Sequence, residues 1–115
     1  MTLNVRPAAV SGTFYPDKPA TLDETVRMML ETAGRTALPP VKAIIAPHAG
    51  YIYSGPIAAS FYRRIVPFAA EIRRVVVLGP THRVAVRGLT LPEASAFATP
   101  LGDLRIDAAS VAAIA

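Results

Sequence analysis

Two short aliphatic runs recur along the chain, and each stops in the same way. Ala43-Ile44-Ile45 ends at Pro47, with His48 directly after it; Val75-Val76-Val77-Leu78 ends at Gly79-Pro80-Thr81-His82. Short β-branched runs bounded by turn residues read as buried strands. Proline stops each run because it lacks an N–H donor and fixes its own φ. Between the runs, Ile57, Ala58, Phe61, Tyr62 and Ile65 give a helix a core-facing side. Pro56 suits the first turn of that helix, and Pro67 ends it. Strand, helix and strand over residues 41–78 predict a βαβ unit with a right-handed crossover.

The flanking stretches predict smaller elements. Leu22, Val26, Met29 and Leu30 repeat at helical spacing, so a helix is expected over 22–33. Thr21 and Glu24 have the spacing of a capping box, and Gly34 is a natural stop. This helix is expected to cover the sheet. Residues 1–20 are irregular and proline-punctuated; Phe14 and Tyr15 pack on a core or anchor a loop, with Tyr15 aimed at a site as the other option. Gly88-Leu89-Thr90-Leu91 reads as a short strand, 94–104 as small and turn-rich, and 104–106 as briefly extended. Asp107 is a good N-cap for a last helix. The fold class is therefore α/β, a mainly parallel sheet flanked by helices. Two strong strands are too few for a stable sheet, and the closing SVAAIA reads as a helix still running. Residues 1–115 are thus expected to be the N-terminal portion of a single, incomplete α/β domain. Open sheet edges would favour self-association.

Composition narrows the class. Of the 115 residues, 52% are hydrophobic and 17% charged, too apolar for disorder. No apolar run is long enough to span a membrane, and no basic leader precedes an apolar segment; a cytoplasmic location is expected. Cysteine is absent, so disulfides and thiolate ligands are excluded within these residues. The net charge of +4 comes from scattered arginines, and no basic stretch interleaved with aromatics points to nucleic acid.

The candidate chemistry lies at the two strand ends. Ligands bind beyond the carboxyl ends of strands in open α/β sheets. Adjacent strands lie about 4.8 Å apart, so imidazoles from parallel neighbours can share one metal ion, at about 2.0–2.1 Å per bond for zinc. Histidine is also the side chain for acid–base work near neutral pH. His48 and His82 are accordingly candidate metal ligands. A catalytic centre wants a third ligand, and no carboxylate here has the spacing to supply it. Tyr51, Tyr53, Ser54 and Arg83 are candidate pocket residues. Gly50–Gly55 matches neither the P-loop nor the dinucleotide fingerprint.

Three separated motifs carry a resemblance: residues 43–55 (AIIAPHAGYIYSG), 78–82 (LGPTH) and 99–107 (TPLGDLRID). With Arg6 and Ser11-Gly12-Thr13-Phe14-Tyr15, they resemble the Memo-like family, whose animal members are named as mediators of receptor-driven cell motility. The resemblance implies a fold similar to class III extradiol dioxygenases. It also implies a metal site of histidines plus a cysteine, holding iron or copper, with zinc as a further option. By position, His48 and His82 match two ligands; the rest are expected in a C-terminal portion, in members about twice as long as this chain. Arg83 stands where many relatives have a second histidine. Two functions follow as expectations: dioxygenase-like redox chemistry on an unknown small molecule, or a non-catalytic module that recognises an anionic or phosphorylated peptide through Arg83 or Arg87.

Overall fold

A computed structural model of the chain describes residues 3–34 and 39–115. These fall into two compact units. One is the continuous segment Ala9–Arg74; the other joins Met1–Ala8 to Val75–Ala115.

The continuous unit is helical. Helix α1 spans Pro19–Thr32 and helix α2 spans Tyr51–Tyr62; a single 3-10 turn follows at Val66–Phe68. Helix α1 starts earlier than the capping-box reading predicts. Proline at the first helical position has its φ already set, and Lys18 caps without a side-chain hydrogen bond. Thr21 therefore sits inside the first turn, where its carbonyl accepts from the Thr25 hydroxyl at 2.7 Å. The other end follows expectation: Ala33 closes the helix, and Gly34 turns the chain at φ +73 with its N–H donating to the Glu31 carbonyl. Leu22 is buried and Val26, Met29 and Leu30 are half-buried, so the predicted stripe is real. Burying a leucine of this kind contributes about 1.5–3 kcal/mol.

Helix α2 packs against α1, and the predicted core-facing side is covered only in part: Ala58, Phe61 and Ile65 are half-buried. Ser54, Gly55 and Ala59 are its buried residues, while Ile57 and Tyr62 are exposed. Small side chains at i, i+1 and i+5 let the two backbones approach. At Gly55 an added Cβ would stand 2.6 Å from the Met29 sulfur. Helix α2 also begins five residues before Pro56, which therefore lies in its interior. Proline there withholds a bond from the Ile52 carbonyl. Ile52 and Pro56 are both exposed, so the interruption falls on a wet face.

The second unit holds a three-stranded sheet: β1 (Val5–Arg6), β2 (Ala96–Thr99) and β3 (Gly102–Arg105), in that spatial order. Strand β1 pairs with β2 in parallel, Val5 opposite Ala96; β2 pairs with β3 antiparallel, Phe97 opposite Leu104. The sheet is thus mixed rather than mainly parallel. Ser95 extends the first pairing, since its N–H and its hydroxyl both donate to the Asn4 carbonyl, at 2.8 and 3.0 Å. The hairpin turns at Pro100-Leu101. There the Thr99 hydroxyl donates to the Gly102 carbonyl at 2.7 Å and accepts from the Leu101 N–H at 3.1 Å. Gly102 takes φ +123, open to glycine and strained for other residues. Ala96 is buried, and the Arg6 guanidinium lies 5.3 Å from the centre of the Phe97 ring. Helix α3 (Ala108–Ile114) starts as predicted, the Asp107 carboxylate accepting from the Ser110 N–H at 3.1 Å.

The two aliphatic runs are not strands. Among the described residues the sheet includes neither 43–45 nor 74–78, nor the shorter candidate at 88–91. Ile45 is 93% exposed and Val77 84%. A parallel strand is stable when both faces are covered and a neighbour takes up its N–H and C=O groups. These runs have the composition of such strands without that setting. The predicted βαβ unit is therefore reduced to its helix. The α/β class stands; the parallel architecture at 41–78 does not.

Candidate functional site

His48 lies in the exposed loop that leads into α2, between Pro47 and Ala49. Two hydrogen bonds hold the turn after it. The Ser54 hydroxyl donates back to the Ala49 carbonyl at 2.9 Å, and the Tyr51 N–H donates to the Phe14 carbonyl at 2.8 Å. Phe14 is itself fixed by a compact turn, in which its N–H and the Thr13 N–H and hydroxyl all donate to the Val10 carbonyl. The Tyr15 and Tyr51 rings pack at 5.8 Å between centres, tilted by 43°. Tyr15 is thus a packing partner of Tyr51. Burial pushes the Tyr51 phenol above its usual value of 10.0, and the phenols of Tyr15 and Tyr62 push the same way.

The predicted pocket residues divide. Tyr51 and Ser54 join the His48 loop in one cluster, as packing and as a brace. Tyr53 is exposed on α2: residues two apart on a helix sit about 200° around the axis, so Tyr51 and Tyr53 face apart. His82 and Arg83 are both exposed, in the irregular stretch between the 3-10 turn and β2, and belong to the other unit. The Phe14 carbonyl is the partner that residue types do not reveal, because a backbone group carries no signature in the sequence.

Imidazole nitrogens suit iron, copper and zinc, so the donor chemistry fits a transition metal. The donor number does not: among the described residues no three His, Cys, Asp or Glu side chains gather into a group able to hold a metal ion. Among the same residues no helix is long and apolar enough to cross a membrane.

The family profile described as Memo-like protein matches residues 6–115. The chain belongs to the Memo-like family. Its relatives include Protein memo-1 homolog of Caenorhabditis elegans, 38% identical over 104 residues, covering 90% of this chain and 29% of the relative. Protein MEMO1 of Danio rerio is 41% identical over 102 residues, covering 89% and 33%. A MEMO1 family protein of Aquifex aeolicus is 38% identical over 106 residues, covering 91% and 38%. The Memo-like chain thus spans about a third of the length of these relatives, less than the half that the resemblance implied.

Proposed function

We propose that this Memo-like chain supplies two imidazoles, His48 and His82, to a metal site in which iron or copper supports dioxygenase-like redox chemistry on a small molecule in the cytoplasm. The observation that carries the reading is the repeated motif, an aliphatic run broken by proline and followed by histidine, in a chain of this family. The exposure of both histidines and the bracing of the His48 loop support it. The third ligand is assigned to residues other than these. A bound metal would supply Lewis acidity and electron transfer. This chain's own residues have simpler tasks. His48 and His82 would each offer a ring nitrogen to the metal. Tyr53 and Arg83, both exposed, are available to a substrate.

Metal analysis of the full-length protein tests this. His48→Ala and His82→Ala are each expected to lower the bound iron or copper, and unchanged content in both variants sinks the reading. The same preparation separates the rival function. Binding of a phosphorylated peptide that survives chelator and is lost in Arg83→Ala identifies a recognition module instead.

A further inference from the structure

We propose that Ser54 is the positioning residue for His48. Serine and threonine hydroxyls inside helices ordinarily bond back to a carbonyl three or four residues earlier. Ser60, Thr25 and Thr32 all do so, to Ile57, Thr21 and Met28. Ser54 instead reaches five residues back, past the helix start, to the Ala49 carbonyl. It is also 94% buried, the buried polar residue among those described.

The consequence is geometric. Pro47 fixes the backbone φ on one side of His48. On the other side the very next carbonyl is held by the Ser54 hydroxyl. Two residues further on, the Tyr51 N–H is tied to Phe14. His48 therefore sits beside a fixed φ at Pro47 on one side and a tied segment on the other, held at Ala49 and at Tyr51 with only Gly50 between those two anchors. A ligand-bearing loop held in this way keeps its donor in place before anything binds. The value of that placement rests on the metal reading above; the clamp itself does not.

Amide exchange and imidazole resonances of the chain test the clamp without metal. In Ser54→Ala the Tyr51 amide should exchange about tenfold faster, the factor to which one net hydrogen bond corresponds, and the His48 ring signals should shift and lose order. Ser60→Ala, which removes a hydroxyl from the same helix, should leave both unchanged. Ser54→Thr, which retains the hydroxyl, should restore them. Should Ser54→Ala disturb α2 as a whole, Ser54→Cys places a weak donor on a somewhat larger atom at the same position and should loosen the same segment. Tyr51 exchange within twofold of the parent and an unmoved His48 ring in Ser54→Ala and Ser54→Cys overturn the assignment, as does an equal effect from Ser60→Ala. Iron or copper titration of the full-length protein is the second arm, with binding about 10- to 100-fold weaker in Ser54→Ala. A loosened His48 segment in a protein that takes no metal would retire the metal reading and keep the clamp.

Discussion

Replacing Gly55 by alanine is the sharpest probe of the α1–α2 contact. The new methyl would sit 2.6 Å from the Met29 sulfur, where heavy atoms settle at about 3.5–4.0 Å. About 1 Å must be found by moving Met29 or the helices. Overpacking of this kind costs about 1–3 kcal/mol, and the pliable methionine keeps it near the lower end. Against it stands a gain of about 1 kcal/mol, because alanine is the better residue in a helix interior. The single variant should thus be less stable by about 0–2 kcal/mol. The decisive test is the pair with Met29→Ala. With the sulfur gone, Gly55→Ala should stabilise by about 0.5–1 kcal/mol, so the cycle shows a coupling of at least about 0.5 kcal/mol. Urea unfolding followed by far-ultraviolet circular dichroism measures all four proteins. Equal stabilisation by Gly55→Ala in both backgrounds would refute the close approach.

Three further expectations follow from local features. Asp107→Ala should cost α3 about 1 kcal/mol while Asp107→Asn costs little, read as faster amide exchange at Ser110; equal protection in both would refute the cap. Gly34→Ala forces a side chain to φ +73 and should destabilise the chain by about 1 kcal/mol in the same urea assay, with no loss counting against a left-handed C-terminus for α1. The Tyr51 phenol titrates above its usual 10.0, so its contribution to stability is whole below pH 10 and is lost as the pH rises through its folded value. Tyr51→Phe should flatten that alkaline decline, and an unchanged slope would assign it to other groups.

What could be read from the residues alone was local. The α1 stripe, the Gly34 stop and the Asp107 cap each depend on neighbours within a few positions, and each appears where its pattern put it. Helix α2 was misplaced for two reasons. Pro56 pointed to a first turn, yet the chain tolerates it deeper on an exposed face. Of the predicted core side, Ala58, Phe61 and Ile65 are half-buried and Ile57 and Tyr62 exposed, while close helix packing selects Gly55 and Ala59. The strand readings at 43–45 and 74–78 erred differently. Composition states that a segment prefers to be extended; it does not say whether a neighbour is there to pair with. Strand β2 shows the converse, since alanine-rich AFAT becomes a strand through its hairpin turn and its pairing with distant β1. In the candidate site, Pro47-His48 announced an exposed histidine. Ser54 was legible as a polar residue near it, but its burial and its reach to Ala49 appear only once the chain is folded.

The pairing of Val5 with Ala96 also has a timing. The segment that bears β1 leaves the ribosome first and must wait for some 91 residues, the separation of the Asn4–Ser95 hydrogen bond. At about 5–20 residues per second that delay is about 5–20 s, and closing the loop costs about 4 kcal/mol by the logarithmic law. The helical segment Ala9–Arg74 is complete in sequence well before then. Once folded it shortens the distance the open chain must search, so the order of synthesis itself prepares the last partner to be found.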